Sequence, residues 1–134
     1  FVRNFKNKEL FSDLSAQMAA TAQNLDLIRV NNKVAVNMIN IGFDCEVVRK
    51  AGKWKKRPLI KGTMAYVFGI IETLCKPMGQ ALSFRIDEDE AEDIFLLTTI
   101  ANGCFCGGGF CSSPKAKLND GKLDIGLIGL FKRW

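Results

Sequence analysis

Apolar positions change their period several times along the chain, and each change marks an element. In residues 11–23 the order F-S-D-L-S-A-Q-M-A-A-T-A-Q puts Leu14, Met18 and Thr21 on one helical face, with Ser12 or Asp13 available as the cap. Residues 25–30 alternate apolar with polar. Asn31-Asn32 then supplies two residues tolerant of positive φ, and the alternation resumes over 34–41, which predicts a β-hairpin. A short helix is expected over 43–50. Residues 60–74 carry Met64, Val67, Phe68, Ile71 and Leu74 at helical spacing, a pattern that predicts one wide buried stripe packed on a sheet; acyl-chain contact is the alternative use of that stripe. Pro77 and Gly79 close the helix. Two apolar-rich strands follow, 81–86 and 94–101, joined by the acidic run 87–93, whose like charges predict an exposed connection. A last strand is expected over 123–130.

Between the last two strands lies N-G-C-F-C-G-G-G-F-C-S-S-P-K-A-K-L-N-D-G-K-L-D, residues 102–124. Gly107, Gly108 and Gly109 lack a Cβ, so the backbone there admits positive φ and the close approach of another group. Pro114 removes a donor, and Asn119-Asp120-Gly121 reads as a tight turn with Asp120 at its tip. Two readings of Asp120 stay open. It caps its own turn, or its carboxylate binds a hard cation together with neighbouring carbonyl oxygens.

At 134 residues the chain reads as a single domain, 1–134, long enough to bury a sizeable core without staples. Its hydrophobic content of 48% and charged content of 25% are those of an ordinary globular protein. No apolar run reaches the length of a membrane span, and no secretory signal pattern opens the chain, so a cytoplasmic location is expected. Five cysteines and no histidine argue against a closed disulfide set. Cys104, Cys106 and Cys111 fit small buried hydrophobes better than a zinc site, which ordinarily takes C-x2-C pairs or histidine. The acidic run 87–93 is not read as a catalytic pair, because catalytic carboxylates need a cleft that shifts their pKa values. Segment 49–61 is strongly basic, with Arg49, Lys50, Lys53, Lys55, Lys56, Arg57 and Lys61 around Trp54. A solvated loop, a nucleic-acid backbone and an anionic membrane surface all suit such a segment.

Four motifs occur in order: Asn40-Ile41-Gly42-Phe43-Asp44; Gly62 with Ala65-Tyr66; Asn102-Gly103 leading to Gly107–Gly109; and Pro114 with Ala116, Asp120-Gly121 and Leu123-Asp124. Together these resemble the second domain of the bacterial diacylglycerol kinases related to sphingosine kinases, over nearly the whole chain. The resemblance implies a mainly β domain with helices (α+β), a two-layer β-sandwich-like second domain of the lipid kinase and NAD kinase-like superfamily. It implies transfer of the ATP γ-phosphate to the hydroxyl of diacylglycerol or a related lipid. Asn40, Gly42, Asp44, Asn102, Gly107, Gly108 and Gly109 would then line the substrate cleft. Mg2+ would sit on the Asp120 carboxylate with the main-chain oxygens of Lys117 and Lys122. Phe1-Val2-Arg3 resembles the continuation of a G-T-x-N-D element of the first, nucleotide-binding domain, so a fragment is expected, with ATP held mainly by that domain and the general base beyond Trp134. Neither a Walker-type G-x4-G-K-[ST] nor a G-x-G-x-x-G motif occurs in the chain. The implied partners are a lipid substrate at a membrane surface and the nucleotide-binding domain, with no nucleic acid; a homodimer is left open. The implied location is cytoplasmic and peripheral to the membrane. Two rivals are a small-molecule kinase of the NAD kinase-like kind and a non-catalytic lipid-binding or regulatory module.

Overall fold

The computed structural model describes residues 1–60, 62–106 and 110–130. Its helices are α1 (Leu14–Ala19), α2 (Phe43–Trp54) and α3 (Gly62–Leu74). Its strands are β1 (Ile28–Val30), β2 (Lys33–Ala35), β3 (Met38–Gly42), β4 (Gln80–Ile86), β5 (Asp89–Ala101) and β6 (Asp124–Gly129). Short 3-10 turns at Val2–Asn4 and Lys8–Ser12 precede them. β1 and β2 form an antiparallel pair, while β5 is the centre of a second sheet in the order β3-β5-β4, with β6 also pairing to β5. The chain is sheet-rich with a few helices, as expected. It divides into two compact units, Phe1–Ile39 with Thr99–Gly126, and Asn40–Thr98 with the stretch from Leu127 onward.

In the first unit the helix expected over 11–23 is shorter. Asp13 caps it by accepting a 3.1 Å hydrogen bond from Ala16 N, and it ends at Ala19 with Ala20 extended. Leu14 and Met18 are exposed, so its apolar face is not a core stripe. The hairpin forms as expected around Asn31, whose φ of 52° uses the tolerance of asparagine for that region. Its second strand is not continuous to 41, however. The chain bends at Val36 and Asn37 and re-enters as β3, because the Asn37 carbonyl is taken by Asn102 N and Gly103 N at 2.8 and 2.9 Å.

In the second unit α2 runs four residues past the expected helix 43–50 and so takes Lys53 and Trp54 of the basic segment into regular structure. Asp44 and Glu46 in its first turn oppose the positive end of the helix dipole. Arg49 donates to Glu46 at 2.6 Å and holds that carboxyl below the usual carboxylate range. Lys50 is buried with Nζ donating to the Glu72 carbonyl at 3.2 Å. The largest correction concerns α3. Its buried positions are Ala65, Gly69 and Thr73, whereas Met64, Val67, Ile71 and Leu74 are exposed. The cause is the close approach of α2: a Cβ on Gly69 would lie 2.7 Å from Val47 O and 3.0 Å from Ala51 N. Only small side chains fit between the two backbones, so the large ones turn outward. Gly69→Ala is therefore expected to lower stability by about 1–3 kcal/mol, the usual cost of overpacking, seen as a lower urea midpoint.

The acidic run 87–93 is also not a connection as a whole. β4 and β5 pair from Gln80↔Phe95 to Ile86↔Asp89, leaving Asp87-Glu88 as a two-residue turn with Asp87 at φ 53°. Glu90 faces Arg85 directly across the pair, 3.8 Å away, and this opposite charge offsets part of the repulsion along the strand. The last strand forms as expected. Among the described residues the buried apolar set is Ile28, Val47, Ala51, Ala65, Phe95, Ala101 and Ala116, mostly small side chains.

Candidate functional site

The first unit gathers the chain around three asparagines. Asn102 follows β5 directly and is fully buried, with Nδ2 donating to Asp26 O at 2.7 Å and Val36 O at 3.0 Å. Asn37 Nδ2 donates to Phe105 O at 2.8 Å, and its Oδ1 accepts from Asn4 Nδ2 at 3.0 Å. Asn4 Oδ1 in turn accepts from Cys104 N at 2.7 Å. A Cβ on Gly103 would collide with Asn37 Oδ1 and crowd the Asn4 amide, so a side chain here would displace the Asn4–Asn37 bond. The sequence thus fixes the entrance to the glycine loop at residues 102–106. Gly107, Gly108 and Gly109 themselves lie outside the described residues.

Downstream, Ser112 N and Ser113 N both donate to Cys104 O, and Cys104 Sγ donates to Ala116 O at 3.1 Å. Burial pushes the Cys104 thiol up, with Cys111 and Asp124 adding to the shift, so the group stays a neutral thiol at pH 7. Cys104 and Cys106 are half-buried and Cys111 is exposed, so the three are not the buried hydrophobes expected. Among the described residues no three histidine, cysteine or acidic side chains cluster as metal ligands.

The turn at Asp120 is held from two directions. Asp120 Oδ1 accepts from Lys122 N at 3.1 Å, the self-capping bond of an Asx turn. Asp26 Oδ2 accepts from Gly121 N at 2.7 Å, and Asp26 N donates to Leu118 O at 2.7 Å. Gly121 sits at φ 69° with open space around its Cβ position, so backbone conformation and not crowding selects glycine. Two carboxylates are therefore anchored on residues 118–122, and the Lys117 and Lys122 carbonyls flank Asp120 in the chain. A set of carboxylate and carbonyl oxygens suits a hard divalent cation. Asp26, Asn4 and Asn37 were not singled out by sequence. The available signal was an acid inside an apolar alternation at Leu25-Asp26-Leu27-Ile28 and an asparagine breaking the next strand.

In the second unit Asn40 Nδ2 donates to Asp44 Oδ2 at 2.7 Å, and Cys45 Sγ donates to Asn40 O at 2.8 Å. Gly42 lies between them at φ 97°, where a Cβ would stand 2.5 Å from Leu96 O. Asn40, Gly42 and Asp44 thus form one local cluster at the start of α2, and Asn102 forms another with Asp26 and the Asp120 turn. Three buried side-chain atoms lack a hydrogen-bond partner among the described residues: Asn40 Oδ1, Asn102 Oδ1 and Thr98 Oγ1. Native interiors leave few such atoms.

The family model of the YegS C-terminal NAD kinase beta sandwich-like domain matches residues 37–134. The protein named "Probable lipid kinase YegS-like" from Alcanivorax borkumensis is 31% identical over 117 residues, covering 87% of this chain and 38% of that protein. A protein of the same name from Pseudomonas aeruginosa strain PAO1 is 30% identical over 113 residues, covering 84% of this chain and 37% of its own length. The chain therefore spans less than two fifths of these curated relatives. The crystal structure "of a putative diacylglycerol kinase from Bacillus anthracis str. Sterne" superposes with a TM-score of 0.62 at 21% identity, over 96% of this chain and 43% of that one, and so shares the fold. With the matched domain covering most of its residues, this chain belongs to the YegS C-terminal NAD kinase beta sandwich-like domain family.

Proposed function

We propose that the chain is the second domain of an ATP-dependent lipid kinase that phosphorylates the hydroxyl of diacylglycerol or a related lipid. The observation that carries this reading is the naming of its relatives, at 30 to 31% identity, as lipid kinases. The local geometry supports it. Asn40 and Asn102 each hold a buried, unpaired amide oxygen, and both are residues to which the family resemblance gives a place in the substrate cleft. Asp120, with the carbonyls of Lys117 and Lys122, would hold magnesium. Bound there, the ion neutralises carboxylate charge and fixes the oxygens around it. The chain's own part is to pre-set that turn: Asp26 fixes the Gly121 amide, and Asn102 fixes the Asp26 carbonyl. Positioning of this kind is the main contribution a protein makes to phosphoryl transfer.

The 134 residues alone are proposed to be inactive, because the sequence holds no phosphate-binding loop to present ATP. The test uses labelled ATP and diacylglycerol in mixed micelles with the product of the complete gene. Magnesium-dependent labelled phosphatidic acid is expected. Asp120→Ala is expected to lower the rate about 10-fold or more at limiting magnesium, with partial recovery at high magnesium. Labelled nucleotide with no labelled lipid would replace this reading by a small-molecule kinase, and no transfer from the folded protein to any acceptor would replace it by a binding module.

A further inference from the structure

We propose that the outward face of α3 and the α2–α3 connection form one docking surface for an anionic lipid bilayer. The proposal deepens the lipid kinase reading by naming where the enzyme meets its substrate's phase. Three observations carry it. First, α3 presents apolar side chains to solvent where a surface helix ordinarily presents polar ones. Met64, Val67 and Ile71 follow one another at intervals of three and four, and Ile71 is 51% exposed. Gly69 packs against Val47 and Ala51 of α2, and Ala65 and Thr73 are buried on the same side of α3, so the stripe is on the side of the helix away from α2.

Second, the basic connection is tied to the edge of that stripe. Phe68 lies one turn from Met64 and from Ile71, and Trp54 at the end of α2 stacks on it with centroids 5.1 Å apart. Trp54 Nε1 donates to Glu72 Oε2 at 3.1 Å, and the Arg57 guanidinium lies 4.7 Å over the indole ring. Lys53, Lys55 and Lys56 flank this stack, and Leu59 beside them is 90% exposed. Third, the sequence holds no acidic residue from 47 to 71, while seven Lys and Arg fall in that span. Of these, Lys50 is spent on the Glu72 carbonyl and Arg49 on the Glu46 carboxylate, and Lys61 lies outside the described residues, leaving Lys53, Lys55, Lys56 and Arg57 beside exposed Leu59, Met64, Val67 and Ile71.

Apolar groups bordered by cations fit the interface of a bilayer with anionic headgroups, where the side chains enter the acyl boundary and the cations meet phosphate. A nucleic acid gives no return for the apolar stripe. A second copy meeting this face with its own would set like charges against one another.

The test is flotation with vesicles of phosphatidylglycerol and phosphatidylcholine against phosphatidylcholine alone. Binding to the anionic vesicles is expected, weakened by 0.5 M salt as a surface charge interaction must be, roughly over the range set by Debye screening. Val67→Asp with Ile71→Asp is expected to lower partitioning about tenfold or more, as is Lys55→Glu with Lys56→Glu, both judged on variants that keep the wild-type helical circular dichroism. The 134-residue chain carrying Trp134→Phe, which leaves Trp54 as its one tryptophan, gives a readout that needs no change to the surface itself: brominated lipid should quench Trp54. Equal binding to neutral vesicles, unchanged partitioning in both variants, or no quenching overturns the proposal. So does a dimer that Ile71→Asp dissociates, since a second copy would then be the occupant. Diacylglycerol phosphorylation by the product of the complete gene in uncharged detergent micelles, beside vesicle flotation of the same protein, separates the two readings. Kinase activity without vesicle binding sinks only the docking surface, and vesicle binding without any lipid phosphorylation sinks only the kinase.

Discussion

Gly42→Ala is expected to remove about 3–5 kcal/mol of stability, a large share of what a domain of this size possesses. Two costs add. The backbone at φ 97° and ψ −132° is a region open to glycine and strained for any L side chain, at about 1–3 kcal/mol. The new methyl would also stand 2.5 Å from Leu96 O, and since that oxygen belongs to β5 it has no rotamer by which to yield, adding about 1–3 kcal/mol. Gly52, inside α2, is the control. It has nothing within 4 Å of its Cβ position, so Gly52→Ala should stabilise by about 0.5–1 kcal/mol through helix propensity. Urea denaturation of both variants decides the matter: equal midpoints would show that β3 does not pass β5 as closely as described.

Asn102→Ala should cost about 1–3 kcal/mol, because it removes a fully buried amide and leaves two part-buried carbonyls without their donor. Those carbonyls belong to Asp26 and Val36, so the damage reaches the Asp120 turn without touching it. The Gly121 amide, bonded to the Asp26 carboxylate, should lose hydrogen-exchange protection alongside the drop in urea midpoint. Retained protection at Gly121 would mean that Asp26 is placed by its bond to Leu118 alone.

What the sequence made legible, and what it hid, follows from the range of each interaction. The Asn31 hairpin, the Asp13 cap and the Asp120 turn are local, and each was readable from neighbouring residues. For α3 the period was right and the buried face was wrong. Ala65, Gly69 and Thr73 recur at the same helical spacing as the large residues, and hydrophobic size does not say which side a partner backbone will approach. The acidic stretch 89–93 concealed a strand because its charges suggested a loop, while the pairing to β4 and the Arg85–Glu90 contact depend on residues across the hairpin. Asp26 was invisible for a stronger reason. Its significance arises from a bond to Gly121, 95 residues away.

That spacing recurs throughout the first unit, and it sets the order in which the chain must acquire structure. Cys104 bonds Asn4 across 100 residues, and Asn102 bonds Asp26 across 76, whereas Trp54 and Glu72 are 18 apart. Closing the longer loops carries a greater entropic cost, and proteins rich in such distant contacts form slowly. On the ribosome the α2–α3 pair is complete as soon as residue 74 has emerged. Asn4, Asp26 and Asn37 gain their partners only once residues 102–105 have been made, although the hairpin and the capped helix around them need only their own neighbours.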